Sequence, residues 1–425
     1  MPALPRCLLR LPLLCAAGAV SIFALEATPP PHPWAPDAFQ PVSAARIARL
    51  PPAAQPAWRA YWEASVALSR PLLRATDPIE NSDQPLAVGT PIPAVFSRGC
   101  RLDAPAGWYA SEEARAIADQ VAAWQRPSGG WTKGGDYRRA PRPEDDHQDA
   151  WSNGTFDNDS TYTELRYLAL VVSAGGDPVR AAAWQRAFHR GLDYIFAAQY
   201  PNGGWPQIYP LAGSYHDAVT FNDEAMIHLL NLLGEIHAGR APFAFVPPEV
   251  AAEAGRRVAR GLQCLLDAQL RAPDGRRTIW AQQHDALTLQ PCAARNFEPV
   301  AACTMESVSL VRFLMTIPAP SPDIIAAIEG AVAWFPPRAL RGVVVDRDAD
   351  TGSGLVPRAG APDLWARFYE LDTDRPIFSE RNRMVHYTMT ALSLERRRGY
   401  SWYNSRAAAL PVAYGVWKAG LVAKP

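Results

Sequence analysis

The chain has 425 residues, enough to bury a large core, and an ordinary composition of 48% hydrophobic and 20% charged residues. Its 42 basic and 42 acidic residues cancel, so bulk charge gives no reason to expect a nucleic-acid partner and leaves room only for a local basic cleft that grips an acidic polymer. There is no phosphate-binding glycine loop, no Gly-x-Ser-x-Gly, no His-Glu-x-x-His and no Cys-x-x-Cys, which argues against the nucleotide, serine-hydrolase, zinc and dithiol classes.

At the N-terminus, Arg6 and Arg10 precede the apolar run Leu11–Leu25. The run is short for a membrane span of about 20 residues and reads as a secretory signal. Ala27 is the expected cleavage position, an uncleaved anchor is the alternative, and the product is expected to be secreted or periplasmic. Residues 28–100 form a Pro- and Ala-rich extension, an ordered wrap or a linker, with a short amphipathic helix over Trp58–Leu73. Residues 101–405 make the main domain and 406–425 a C-terminal tail. No later segment is apolar for long enough to cross a membrane, and a monomer is expected.

An internal repeat organises the main domain. Ala123-Trp-Gln-Arg-Pro-Ser-Gly-Gly-Trp131 matches Ala198-Gln-Tyr-Pro-Asn-Gly-Gly-Trp205, and a weaker copy runs from Ala268-Gln269 to Trp280. Helices are predicted before each motif at 114–124, 187–199 and 258–270, and after it at 161–173, 224–237 and 305–316, with a degenerate one at 324–335. About three helix pairs with long irregular loops give a mostly α fold, an α/α toroid. The Gly-Gly-Trp segments are rim turns, their tryptophans either packed over the barrel end or offered to sugar rings.

Between the helices lie two polar clusters, Asp157-Asn158-Asp159 and Asn222-Asp223-Glu224. Oxygen-rich triplets of this kind suit a hard cation such as calcium, or a water and sugar network. Thr220 stands fifteen residues after Trp205, and Arg295 fifteen after Trp280. That count places a guanidinium where the second copy carries its polar cluster. Two further pairs, His216-Asp217 and His284-Asp285, are candidates for substrate contact or for structural support.

In order, the segments Thr-Phe-Asp-Asn-Asp-Ser-Thr-Tyr-Thr-Glu, Gln-Tyr-Pro-Asn-Gly-Gly-Trp-Pro-Gln, Thr-Phe-Asn-Asp-Glu-Ala-Met, Trp-Ala-Gln-Gln-His-Asp, Ala-Arg-Asn-Phe-Glu and Trp-Ala-Arg-Phe-Tyr-Glu resemble family 10 of the polysaccharide lyases, the pectate lyases. The resemblance covers residues 105–403. It implies β-elimination on polygalacturonate, with an arginine as base and calcium binding and acidifying the uronate. Carried over by motif, Arg295 is the base, and Asp157 and Asp223 belong to the calcium and substrate centre. Asn158, Asn222, Lys133, Arg367 and Arg381 are substrate-binding candidates, the arginines suiting two-point recognition of a carboxylate. Phe156, Phe297 and the stretch 301–305 depart from the family pattern and leave the ionic residues intact.

Two other functions compete. A glycoside hydrolase would use Asp157 and Asp223 as its carboxylate pair, leaving the three arginines without a task. A binding protein would hold oligogalacturonides without cutting them. Of Cys100, Cys264, Cys292 and Cys303, the close pair Cys292 and Cys303 is the expected disulfide in an exported protein.

Overall fold

A computed structural model describes residues 29–34, 39–69, 97–145 and 153–422. The signal segment 1–27 lies outside the described residues, as do positions 70–73 of the predicted amphipathic helix. Within the unit that spans Pro31–Pro425, the helices are α1 (Ala44–Ile47), α2 (Gln55–Ser69), α3 (Glu112–Trp124), α4 (Tyr162–Ala174), α5 (Pro178–Ala198), α6 (Ala225–His237), α7 (Pro248–Asp267), α8 (Thr304–Met315), α9 (Pro322–Trp334), α10 (Leu394–Gly399) and α11 (Leu410–Val422).

These helices form the expected α/α toroid. The pairs α4/α5, α6/α7 and α8/α9 pack in succession, with α6 between α4 and α8, α3 beside α5, α7 beside α9, and Arg257 of α7 donating to the Phe196 carbonyl of α5. The first set is apolar on most faces, as in Leu229, Leu230, Leu232 and Leu233 of α6, and is buried. Helix α7 instead turns a charged face outward, with the ion pairs Glu253–Arg256 and Glu253–Arg257. Helices α5 and α7 begin about ten residues before their predicted starts. The reason is local: Asp177 accepts from the N–H groups of Val179 and Arg180, and Pro178 and Pro248 each occupy a first-turn position.

The loop tryptophans are structural. Trp131, Trp205 and Trp280 are fully buried, and their indole N–H groups donate to the carbonyls of Val121, Ile195 and Leu265 at 2.7, 2.9 and 2.8 Å. Trp131 lies against Gly191 of α5, and Trp205 against Gly261 of α7, where an added Cβ would come within 2.8 and 2.9 Å of each ring. A glutamine before each loop repeats the same bridge. Gln125, Gln199 and Gln269 each donate to their own loop and to the next outer helix, at Ala187, Arg257 and Ala327. With the rings buried, the sugar-stacking alternative is removed.

Backbone hydrogen bonds set the register of the copies. The N–H groups of Thr155, Thr220 and Cys303 donate to Trp131, Trp205 and Trp280 at 3.0, 3.2 and 2.7 Å. The next residues, Phe156, Phe221 and Thr304, donate to Gln207, Gln282 and Arg367 at 2.9, 3.0 and 2.9 Å. The equivalent of Thr220 in the third copy is therefore Cys303, not Arg295 as the fifteen-residue count implied. The third copy, like the first, carries a longer excursion between its loop and its helix than the second does, and Arg295 lies on the excursion of the third.

The extension is an ordered wrap over its described residues 39–69. Tyr61 donates to the Ala198 carbonyl at 3.0 Å, Ser65 accepts from Leu211 at 2.8 Å, and Arg46 pairs with Asp285 at 2.6 Å. A small antiparallel sheet joins His32–Pro33, Met384–His386, Pro376–Ser379, Phe368–Tyr369 and Ala302–Cys303 in that order. The stretch expected as a tail carries α11, which packs on α8. Among the described residues no helix is long and apolar enough to cross a membrane.

The expected disulfide does not form: all four described cysteines are free thiols. Cys303 sits in a strand at the head of α8 with its thiol donating to Glu306 at 2.5 Å, while the Cys292 backbone is held by Gln283. Burial pushes both thiols above their ordinary pKa, so neither is a ready thiolate.

Candidate active site

The register delivers one polar side chain per copy to the same place, two residues after each buried tryptophan. These are Lys133, Gln207 and Gln282, and a fourth copy, Trp365-Ala-Arg367, supplies Arg367. Trp365 repeats the pattern by donating from its indole to the Phe335 carbonyl at 2.9 Å. This fourth copy went unread in the sequence because it lacks the Gly-Gly pair. The signal that finds it is the Trp-x-polar triplet alone.

Asp157 is buried between copies. Its Oδ2 accepts from Lys133 Nζ at 3.0 Å and from the Asn158 amide at 2.7 Å, and its Oδ1 from Gln207 Nε2 at 2.6 Å. Arg367 is the matching centre on the other side of the ring of copies. Its Nη2 donates to Glu306 Oε1 at 2.7 Å, to Gln282 Oε1 at 3.1 Å and to Asn222 Oδ1 at 3.4 Å. The guanidinium lies 4.6 Å from the Tyr400 ring. Burial works against its charge, but the Glu306 carboxylate outweighs burial and holds its pKa above the ordinary value. Glu306 was not among the residues expected at the site. The structure brings it in.

Both polar clusters turn through consecutive left-handed residues. Asn158 and Asp159 have φ of 48 and 63°, and Asp223 and Glu224 have φ of 50 and 60°. Such conformations cost a non-glycine residue about 1–2 kcal/mol each and persist where the surroundings enforce them. In both clusters the left-handed pair follows directly on the two backbone bonds, to a residue's own loop and to the next, that set the register. Beside the clusters is a cavity of about 290 Å³, whose lining includes Asp159, Asp223, Glu224, His228, Glu306 and Arg406.

Asp223 is pushed up to about 7, first by burial and then by the charges of Asp157 and Glu306, with Arg367 and Arg295 opposing. Three carboxylates therefore act on one another at one spot. This all-oxygen set fits a hard cation such as calcium, which would favour the charged form of Asp223 that burial and its acidic neighbours disfavour. Asp157 has both oxygens engaged by Lys133, Asn158 and Gln207, and Glu306 has both of its own engaged by Arg367 and Cys303, so Asp223, bonded by Asn222 at one oxygen, is the better placed donor. Among the described residues no three acidic, His or Cys groups converge closely enough to enclose a metal alone. A cation here needs further oxygens from a ligand.

Arg295 is fixed by Glu298. Its Nε and Nη2 donate to the two Glu298 oxygens at 3.0 and 2.7 Å, and Tyr400 donates to Glu298 Oε1 at 2.7 Å. The Arg295 side chain is 35% exposed and that of Glu298 3%. For Arg295, burial favours loss of the proton, but the Glu298 charge and hydrogen bonds win and raise its pKa well above the ordinary value. Glu298, which burial would raise, is instead held at about 2 by Arg295.

Arg381 pairs with Glu395 at 3.0 Å and stacks 5.4 Å from Phe297. Arg295 and Arg396 lie 4.8 and 4.2 Å from the same ring. Phe297, a departure from the family pattern, is thus the shelf that gathers three guanidiniums. Arg396 was missed, hidden in the run Glu395-Arg-Arg-Arg398 that reads as a solvated helix face.

The histidine pairs resolve differently. His284 is buried, bonded to Leu289 and Ala281, and pushed down to about 4 by burial, while Asp285 is taken by Arg46; the pair is support for the fold. His216 is also closed off from solvent. Burial pushes it down to about 3; Asp157 opposes this, and Lys133 and Arg295 add to it, so a neutral imidazole lies among these charges.

The family model for pectic acid lyases matches residues 125–410 of the chain. Among solved structures, a family 10 polysaccharide lyase from Cellvibrio cellulosa is similar with a TM-score of 0.63 and 34% identity, over 75% of this chain and 97% of that one. An aspartate-to-alanine mutant of a family 10 polysaccharide lyase from the same organism, in complex with trigalacturonic acid, gives a TM-score of 0.62 and 33% identity over 75% and 98%. No relative is found among curated proteins.

Proposed function

The chain belongs to the pectic acid lyase family and is a polysaccharide lyase, and we propose that it is an exported, monomeric pectate lyase that needs calcium to cleave polygalacturonate, with Arg295 as its base. The observation that carries the reading is the buried Arg367, held by Glu306 and Asn222 beside Asp223, with the charges of Asp157, Glu306, Arg367 and Arg295 all acting on the Asp223 carboxyl. The relative that holds trigalacturonic acid supports an acidic oligosaccharide as ligand.

In this reading Asp223, with Glu306 and Asp157 behind it, would hold a calcium ion. A bound ion would supply positive charge beside the uronate carboxylate, which makes the adjacent C5–H bond more acidic. Arg367 and Lys133 bind and align substrate carboxylates, Arg381 extends the row, and Asn158 and Asn222 present amides to the sugar. Arg295 takes the C5 proton, the C5–H electrons form the C4–C5 double bond, and the C4–O4 bond breaks. The leaving O4 is protonated from solvent. A free guanidinium has a pKa above about 12 and the Glu298 charge holds that of Arg295 higher still, so the neutral base is scarce and the rate is expected to climb towards alkaline pH.

Incubation with polygalacturonate, with and without a chelator, tests the proposal. Ultraviolet absorbance of unsaturated uronides that disappears on chelation is the expected result. New reducing ends without absorbance would instead indicate the hydrolase built on Asp157 and Asp223, and binding with neither product would indicate a binding protein.

A further inference from the structure

We infer that Glu298 and Tyr400 form a positioning relay that aims Arg295, an inference resting on the reading of Arg295 as the base. Glu298 engages two of the three guanidinium nitrogens in a two-point fork, which leaves Nη1 as the nitrogen that Glu298 does not hold. The same carboxylate accepts from the Arg295 backbone N–H at 3.2 Å. The turn beneath is closed by Glu298 N–H to the Arg295 carbonyl at 2.7 Å and Ala294 N–H to the Glu298 carbonyl at 3.0 Å. Side chain and backbone are therefore locked as one unit.

Tyr400 enters from the far end of α10, 102 residues further along the chain, and donates to Glu298 Oε1 at 2.7 Å. Its ring is itself wedged, edge-on to Phe297 at 5.2 Å, 4.8 Å from Trp402, and 4.6 Å from the Arg367 guanidinium. The relay thus ties the aim of Arg295 to the group that binds Arg367. Glu298 is nearly closed to solvent while Arg295 is about one-third open, so the arrangement presents one face of the guanidinium and hides its support. A base displaced by about 1 Å from its line of attack loses on the order of a hundredfold in rate. A rigid fork behind an arginine is the means of preventing that displacement.

The test is steady-state kinetics on polygalacturonate with Glu298→Gln, Tyr400→Phe and the double variant, with melting curves as a check on folding. Glu298→Gln is expected to lower kcat about 100-fold with KM changed less than about threefold. Tyr400→Phe is expected to lower kcat about tenfold, again with little change in KM. Because Tyr400 acts through Glu298, the double variant is expected to be no worse than Glu298→Gln alone. Losses that multiply, or a rise in KM at unchanged kcat, would overturn the relay. Should Glu298→Gln fail to fold, Tyr400→Phe decides alone, since wild-type kinetics in that variant would overturn the relay. A wild-type protein that yields no unsaturated product would overturn the lyase reading itself, a distinct outcome.

Discussion

Gln207 donates to Asp157 Oδ1 at 2.6 Å, so the second copy of the repeat holds the carboxylate of the first. Lys133, at the equivalent position of the first copy, holds the other oxygen at 3.0 Å. Asp157 is thereby a keystone between copies as well as part of the acidic centre.

Asp157→Ala is expected to affect both roles. Loss of a buried charged acceptor costs about 1–3 kcal/mol, to be read from the denaturant midpoint. Removing one of the three carboxylates is expected to raise the calcium concentration needed for half-maximal activity by about tenfold or more. Unchanged calcium dependence would take Asp157 out of the acidic centre and leave it a purely structural tie.

Arg367→Ala leaves Glu306 buried without its partner. Breaking such a pair costs about 3–5 kcal/mol, mostly from the carboxylate left behind. Adding Glu306→Gln is expected to recover part of that loss in thermal melts while substrate affinity stays low. Full recovery of affinity in the double variant would show that Arg367 does not bind substrate.

Gly261→Ala decides between two opposed effects. In a helix the change ordinarily gains about 1 kcal/mol. Here the new Cβ would lie 2.6 Å from Leu230 Cδ2 and 2.9 Å from the Trp205 ring. Overpacking costs about 1–3 kcal/mol, so a net loss is expected in the unfolding midpoint. A gain would mean that Trp205 is not seated as firmly as the repeat requires.

Much of this was legible in the sequence, for physical reasons. Helices α4, α6 and α8 announce themselves by apolar spacing, and the Gly-Gly-Trp loops by their turn residues. Asp157, Asp223, Arg295 and Arg367 could be carried over because they sit in ordered motifs. The register of the third copy was not legible, because a fifteen-residue count cannot see the excursion that carries Arg295. Cys303 as the counterpart of Thr155 is fixed by backbone hydrogen bonds, which leave no trace in residue type. Glu306, Glu298 and Tyr400 were missed for a related reason. Glu306 works through Arg367 and Tyr400 through Glu298, each distant in the chain, while Glu298 stands only three residues from Arg295 and shows its role only in the two-point bond it makes there.

Asp217 predicts how stability varies with pH. Burial pushes its carboxyl up to about 7, against N–H groups of Gly213, Ala212 and Val42. The unfolded value is about 3.9, so in between the folded protein keeps a proton that the unfolded chain gives up. Stability from this group therefore falls as pH rises through that window and levels off above it. Asp217→Asn removes the titration. Its melting temperature relative to wild type is expected to rise from pH 4 to pH 8, and a constant difference would show that Asp217 is ionised in the folded state throughout.

The tryptophan loops have one more consequence. Around the ring of copies, the positions two residues on read lysine, glutamine, glutamine, arginine. Positive charge stands at the two termini of this series and neutral amides lie between. The field is thus graded by four interchangeable addresses, while the indole anchors and main-chain bonds that build the frame are blind to what occupies them. A single exchange at Gln207 or Gln282 re-grades the mouth at the loss of one side-chain bond, to Asp157 or from Arg367, and leaves the main-chain register as it stands.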